Sequence, residues 1–444
     1  EILKLGFQSN AFLCATLVDM YAACGFLMEA KQVFTTLSTQ DILSWNALIG
    51  GYAEHGKDHE ALACLKDMQL RDVNPDNVTY LQCVKACTNL GAMDFGQELY
   101  VEIIKKGFES DFLVCNSLVN MYIKHGAFLE AKMVSNHLPL RDTASWNPLI
   151  GGYLEKGFCQ EAMTCFKEMQ LEGVMPDTIS WNTMLLGCAE QGENEMVILM
   201  YAQMQEQGML ADSATFVSII EACGNMASLK LGEKICALCC RCGHLQESEV
   251  ILATAIIDMY GKCGRMNSAQ QLFEAMPIKD PTMWNALIIG YSRQGECEYA
   301  LYTFERMKET TRPDAVTFLC VLTACNHGGL IDRAQEYFES MNEYGVPSSI
   351  KHHNCMLDLL ARGGRLQDAL KLLKQMSFEP NDSTFNTILG ACRKWKDADI
   401  AQEVFEYALQ LDQTHAGAFV LMSNMFIDFP SEAEEGKDYL YSIP

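Results

Sequence analysis

The nine residues SWNALIGGY at 44–52 come back as SWNPLIGGY at 145–153, SWNTMLLGC at 180–188 and MWNALIIGY at 283–291. Internal repetition constrains this chain more than any other feature, because a short repeat cannot bury its own apolar face and must stack on its neighbours. Within the segment, Trp45, Leu48, Ile49 and Tyr52 stand at i, i+3, i+4 and i+7, and Ala61, Leu65 and Met68 draw a second stripe beyond Gly56. Both stripes have the helical period, so each repeat is predicted to be a helical hairpin.

Three marks set the register. A glycine ends the first helix in nearly every repeat, from Gly25 and Gly56 to Gly329 and Gly364, where a left-handed residue is favoured; Ala227 departs from the pattern. Five residues on comes a small residue such as Ala30, Ala61, Gly96, Ala131 or Ala369, which lets the two helices approach closely. Pro75, Pro176, Pro313 and Pro380 precede the last residue of their repeats and help to stop the second helix. The repeats therefore run 11–41, 42–76, 77–111, 112–142, 143–177, 178–212, 213–249, 250–280, 281–314, 315–349 and 350–381, mostly 31 or 35 residues long. Stacked, they predict an all-α fold: a right-handed alpha-alpha superhelical solenoid of helical hairpin repeats with an extended concave surface.

With 49% apolar and 20% charged residues, the 444-residue chain has the make-up of a folded protein rather than a disordered one. Its formal charge of −24 opposes generic phosphate binding, which draws on lysine and arginine. The 20 cysteines are spread along apolar helical faces, as at Ala86-Cys87, Ala222-Cys223 and Ala324-Cys325, and read as reduced buried thiols rather than a disulfide framework. No apolar run approaches the ~18 residues of a membrane span, so no membrane partner is expected. The chain opens at Glu1, and residues 1–10 read as the remnant of a further repeat, which predicts a fragment whose targeting segment would lie outside it.

A 35-residue hairpin with VTYN- or VSWN-like starts and a PD end resembles the pentatricopeptide repeat, and the alternation of lengths resembles the plant PLS class. Repeat 42–76 (ILSWNALIGGYAEHG) resembles the P type, 77–111 (NVTYLQCVKACTNLGAMDFGQELY) and 213–249 the L type. The short S type is matched by VCNSLVNMYIKHG at 114–126 and LATAIIDMYGKCG at 252–264. On this resemblance, 1–10 is a truncated L-like repeat and 11–314 a PLS-type array. VTFLCVLTACNHGGLIDRAQEYFESM and HHNCMLDLLARGGRLQDALKLLKQM make 315–381 similar to the L2 and S2 repeats. FNTILGACRKWKDADIAQEVFEYALQL makes 382–415 similar to an E1 motif, followed over 416–444 by a partial E2-like motif and an acidic tail. Tetratricopeptide repeats are also helical hairpins, but their period of about 34 residues lacks this alternation.

The resemblance implies binding of single-stranded RNA, one base per repeat, read by the fifth residue of a repeat together with its last. An amide offers both donor and acceptor, and a carboxylate can orient it or accept directly. The pairs Asn46/Asp76, Asn116/Asp142, Asn147/Asp177, Asn182/Asp212 and Asn285/Asp314 match the family's uridine combination. Thr254/Asp280 matches guanine, and Asn354/Asn381 suggests a pyrimidine. Leu81, Val217 and Leu319 cannot hydrogen-bond a base edge, and Ala15 breaks the pattern in its repeat. Parallel to the RNA, 5′ to 3′, the repeats from 11–41 onward would read N-U-N-U-U-U-N-G-U-N-Y. The plainer alternative is that these Asn and Asp residues are ordinary caps and turn formers, against which their recurrence in register counts.

The second residue of a repeat would flank a base, here Leu43, Val78, Leu113, Ile179, Ile251 and Val316, with core packing as the alternative. Trp45, Trp146, Trp181 and Trp284 have apolar neighbours at +3, +4 and +7, so they are assigned to the core rather than to base stacking. At the thirteenth position, Lys124, Lys262, Arg293 and Arg362 would contact phosphate, whereas Glu54, Glu155 and Glu190 would not. Affinity should then rest on base contacts, with a shallow salt slope.

Cys236, Cys239, Cys240, Cys242 and His244 superficially resemble a zinc site. The first three are spaced i, i+3, i+4 on a second helix where apolar core residues belong, so no metal or other cofactor is expected. A DYW-type cytidine deaminase uses H-x-E and C-x-x-C, and the sequence has no H-x-E. The resemblance thus implies a non-enzymatic specificity factor for C-to-U editing of a mitochondrial or chloroplast transcript. Deamination would come from a DYW-type deaminase or other editing factors engaged through the E-like region, or from a domain beyond Pro444. The alternatives are a splicing, stability or translation factor, and a protein-interaction scaffold without RNA binding, which the acidic charge would suit.

Overall fold

The computed structural model describes residues 11–37, 40–138, 140–243, 250–411, 420 and 422. The described residues form twenty-four α-helices and no strand, and none of the helices is long and apolar enough to cross a membrane. They fall into two bodies, one ending at Ala211 and one beginning at Asp212. The first holds α1 (Ala11–Ala23) to α12 (Asn194–Glu206), the second α13 (Ser213–Asn225) to α24 (Ala398–Leu411).

The odd-numbered helices start at residues 11, 42, 77, 112, 143, 178, 213, 250, 281, 315, 350 and 382, the first residues of successive hairpins. Within each body these first helices pack on one another in chain order, as α1 does on α3 (Ile42–Glu54) and α3 on α5 (Asn77–Leu90). Each second helix leans on its own first helix and on the first helix that follows in the same body. Each body therefore has two layers, one of them formed by its first helices. The hairpin of α23 (Asp382–Trp395) and α24 continues the second stack in the same manner.

The tryptophans join successive hairpins. Trp45, Trp146, Trp181 and Trp284 are at most 2% exposed. Trp45, Trp181 and Trp284 meet Phe34, Phe166 and Phe273 of the preceding second helix edge-on, with centroids 4.5, 4.8 and 4.6 Å apart. That is a favoured geometry for aromatic quadrupoles. Arg141 lies over the ring of Trp146 at 4.3 Å, a cation–π contact on the same buried side. The second glycine of each GGY marks the closest approach of first helices: a Cβ on Gly152 would stand 2.1 Å from Ile123 Cγ2, and one on Gly51 would stand 2.3 Å from Ala22 Cβ.

The hairpin turn demands a left-handed residue, and the one departure in sequence obeys the same geometry. Ala227 has φ 50°, beside φ 74° at Gly126. Lys396, after α23, adopts φ 61° at the equivalent place, a turn that its residue type conceals. An L-residue in this region is strained by its Cβ. Ala227→Gly is therefore expected to stabilise the chain by about 0.5–1 kcal/mol, and Gly152→Ala to destabilise it by about 1–3 kcal/mol. Urea unfolding of both variants beside the parent checks the opposite signs.

Candidate nucleic-acid interface

Positions 2, 5, 9 and 13 of a first helix lie three or four residues apart, so they share one face, while the tryptophan and its apolar partners occupy another. At position 2, Leu43, Val78, Leu113, Ile179, Ile251 and Val316 are 42–74% exposed, so they do not pack in the core. Each places an apolar side chain in water on the first turn of a helix.

Among the described residues, the last residue of a repeat caps the next first helix. Asp76 accepts the Thr79 backbone N–H at 2.9 Å while the Thr79 hydroxyl accepts the Asp76 N–H at 3.2 Å, a reciprocal capping box. Asp142, Asp177, Asp212, Asp280 and Asp314 likewise accept the N–H of the third residue of the following helix, at 2.8–3.0 Å. Asn381 does the same for Thr384 at 3.0 Å. Capping and pairing, set apart as alternatives by sequence, coexist because a carboxylate has lone pairs for both.

At repeat 42–76 the two meet: Asn46 Nδ2 donates to Asp76 Oδ1 and Oδ2 at 3.0 and 3.2 Å. A third residue joins them, since the Thr79 hydroxyl donates to Asn46 Oδ1 at 2.6 Å. The same hydroxyl bridge links Ser180 to Asn147 Oδ1 and Asp177 Oδ1, at 2.7 and 2.8 Å. Thr384 links Asn354 Oδ1 and Asn381 Oδ1, both at 2.8 Å. Burial alone would raise the Asp177 carboxyl pKa, but hydrogen bonds from the Ser180 backbone and side chain, Asn147 and Thr143 hold it below its ordinary value. Sequence reading missed this third-position hydroxyl; its signal is the Ser or Thr that recurs there.

The other predicted pairs differ. Thr254 connects to Asp280 through Thr282, whose hydroxyl lies 3.5 Å from that of Thr254 and donates to the carboxylate at 2.8 and 2.9 Å. Among the described residues, the amide oxygens of Asn116 and Asn285 are buried without a hydrogen-bond partner. Their neighbouring hydroxyls on Ser145 and Thr317 stay on Asp142 and Asp314, at 3.1 and 2.8 Å. Asn182 belongs to the first body and Asp212 to the second. In repeat 77–111, where Leu81 occupies position 5, Asn77 at position 1 donates to Asp111 at 3.0 Å instead. Leu81, Val217 and Leu319 are partly exposed.

The cations at position 13 are mostly engaged. Lys262 and Arg293 share Asp258 at 2.7 and 2.8 Å, and Arg362 is held by Asp358 at 3.0 Å. Both aspartates stand at position 9 of the same face. Lys124 is exposed and makes no ion pair among the described residues. Glu54, Glu155 and Glu190 are exposed on that face.

Burial pushes the Cys236 and Cys239 thiols up to about 12. Cys240, expected on the apolar face, is exposed, as is Cys242. It follows Cys239 directly, and the helix turns it about 100° away from the buried side. Among the described residues no cluster of three metal-ligating side chains is placed to hold an ion, and His244 lies outside them.

One cap carries a titratable group. In repeat 350–381 the third residue is His352 and the cap is Ser349. His352 Nδ1 accepts the Ser349 N–H at 3.1 Å, and Nε2 donates to the Ala315 carbonyl at 2.8 Å. One accepting and one donating nitrogen require the neutral ring. Burial lowers its pKa below the ordinary value, outweighing the bond to Ala315, and His353 adds to the lowering. The unfolded chain therefore takes up this proton first as pH falls: the contribution is fully present above about pH 6.5 and is lost as pH drops below it. His352→Gln should flatten the fall of the urea midpoint between about pH 7.5 and about pH 5.5; an unchanged slope would show that this ring does not contribute.

Stacked helical hairpins with capped junctions, and exposed apolar side chains beside buried or half-buried amides, define a helical-repeat solenoid protein. The sequence matches the PPR repeat family over 40–89 and 176–225, the PPR repeat over 144–174, 251–280, 282–310 and 316–346, and the pentatricopeptide repeat domain over 336–394. A pentatricopeptide repeat-containing protein of Arabidopsis thaliana is 31% identical over 99% of this chain and 49% of its own length. A second from that plant, named as mitochondrial, is 33% identical over 93% of this chain and 44% of its own. A third, named as chloroplastic, is 29% identical over 96% and 45%. The chain belongs to the pentatricopeptide repeat family, and it spans about half the length of these relatives. The pentatricopeptide repeat protein PPR10 from maize shares the fold, with a TM-score of 0.59 at 18% identity over 93% of this chain and 70% of that one. PPR10 in complex with an 18-nt psaJ RNA element gives a TM-score of 0.54 at 17% identity, over 97% and 74%.

Proposed function

We propose that the chain binds single-stranded RNA, one base per repeat, and acts as the specificity factor for C-to-U editing of an organellar transcript, with deamination supplied by a DYW-type deaminase or a domain outside these residues. The observation that carries the RNA reading is the Asn46–Asp76 pair, set between exposed Leu43 and Val78 at the starts of consecutive first helices. It offers a hydrogen-bonding edge flanked by two apolar side chains, which suits an unstacked base. Relatives named as mitochondrial or chloroplastic support an organellar setting. The editing role draws on the PLS-like alternation of lengths and the E-like segments at 382–415 and 416–444, the latter lying almost wholly outside the described residues. RNA binding alone would equally serve splicing, stability or translation. The net charge and the paired cations favour, as second reading, a protein-interaction scaffold.

Gel-shift titration separates these. An RNA of the pattern N-U-N-U-U-U-N-G-U-N-Y should bind at least about tenfold more tightly than a scramble of equal composition. Equal binding would leave the scaffold. Asn147→Thr, which recreates the Thr254/Asp280 combination beside Asp177, should move preference at the fifth base from uridine to guanine. The plot of log affinity against log salt should be no steeper than about −3, the value four phosphate contacts give on a single strand.

A further inference from the structure

We propose that in repeats 42–76, 143–177 and 350–381 the hydroxyl at the third position of the following repeat is a positioning residue for base choice, because it holds the fifth-position asparagine amide in one orientation. This rests on the base-reading role proposed above. An amide presents a carbonyl on one side and an NH2 on the other, and uracil and cytosine differ by exchange of acceptor for donor on the edge such an amide would meet. A flipped amide therefore reads the wrong pyrimidine. At Asn46, the acceptor-only carboxylate of Asp76 takes Nδ2 and the Thr79 hydroxyl donates to Oδ1 at 2.6 Å. Thr79 is fully buried, so water cannot replace that bond. At Asn354 the last residue is the neutral Asn381, whose Oδ1 is already engaged by Thr384, and the buried Thr384 hydroxyl orients the amide oxygen.

The chain's own repeats provide an internal comparison. All six repeats with asparagine at position 5 are followed by Ser or Thr at the third position of the next: Thr79, Ser145, Ser180, Thr215, Thr317 and Thr384. Where position 5 is Leu81, Val217, Thr254 or Leu319, the third residue that follows is Val114, Leu252, Met283 or His352. A hydroxyl needed only for capping would not track the residue at position 5 of the repeat before it. Ala15 is followed by Ser44, and there, with no amide to meet, the hydroxyl donates to the Asp41 carbonyl at 2.8 Å.

Thr317 supplies the control. It forms the same capping box with Asp314 as Thr79 does with Asp76, yet the Asn285 amide oxygen takes no bond from it. The test measures binding of the chain to an 11-nucleotide RNA of the predicted pattern, with adenosine at each open place and either uridine or cytidine at the second base, faced by repeat 42–76, or at the ninth, faced by repeat 281–314. Thr79→Val should reduce the uridine-over-cytidine ratio at the second base by about tenfold, and Thr79→Ser should retain it. Thr317→Val, which loses an equivalent cap, should leave the ratio at the ninth base unchanged. The inference is overturned if Thr79→Val keeps the ratio, or weakens both RNAs alike as the loss of a cap would. If the parent chain shows no uridine preference at the second base, base reading by this repeat falls and the inference with it; a parent that discriminates beside a Thr79→Val that also does removes the inference alone.

Discussion

The residue that closes one repeat, most often an aspartate, is the first capping group of the next, and the arrangement of the face formed by positions 2, 5, 9 and 13 depends on it. A single cap contributes only about 1 kcal/mol, yet it decides which residue counts as the first of the helix. One residue of slippage would rotate the helix by about 100°; in the helix that Asp76 caps, it would bring the buried Tyr80 to the position of Leu81. Asp76 prevents this by binding the Thr79 N–H, and it holds the Asn46 amide at the same time. The register of α5 and the position of the Asn46 amide are thereby fixed by one side chain. The tryptophans then lock the register from the buried side, each against an aromatic ring or a guanidinium from the preceding repeat.

Electrostatics work against a backbone-driven grip. The chain carries a formal charge of −24, and three of the four cations predicted at position 13 are already satisfied by Asp258 and Asp358. Counterion release, the usual source of affinity for a polyanion, is correspondingly limited. The face also carries a row of exposed apolar side chains at position 2 and of buried or half-buried amides at position 5. For the proposed RNA reading, such a surface is better suited to distinguishing bases than to attracting phosphate, so the orientation of an amide would matter more than the number of lysines.

Much of this was legible in the sequence, for identifiable reasons. The glycine turns, the small residues of the second helix and the tryptophan stripe follow from local sterics and helical period, which one repeat displays by itself. Ala227 was visible as an exception, and its φ of 50° shows that the turn is imposed by the stack rather than by the residue. Lys396 carries the same geometry with no glycine to announce it. The bonds from Thr79 to Asn46 and from Arg293 to Asp258 span 33 and 35 residues. They become visible only when neighbouring repeats are placed side by side, since periodicity within one repeat carries no information about its neighbour. Cys240 was misplaced for a different reason: i+4 spacing from Cys236 describes a face about as wide as the helix allows, and burial ends at its edge.

The repeat at 77–111 separates two roles that the others combine. Its last residue, Asp111, still caps the next helix through the N–H groups of Leu113 and Val114, at 3.1 Å each, so the junction is kept. Its fifth residue is Leu81, the third residue that follows is Val114, and the carboxylate is met from position 1 by Asn77. Capping is therefore sufficient to build a junction, and the amide–hydroxyl couple is an addition to it. An addition made at Asn46, Asn147 and Asn354 and lacking at Leu81, where the cap persists, is what a reading device superimposed on a structural one would look like. On that argument the junctions differ in what they add to the cap: the one at Asp111 only holds the stack, whereas those at Asp76, Asp177 and Asn381 also present an oriented amide.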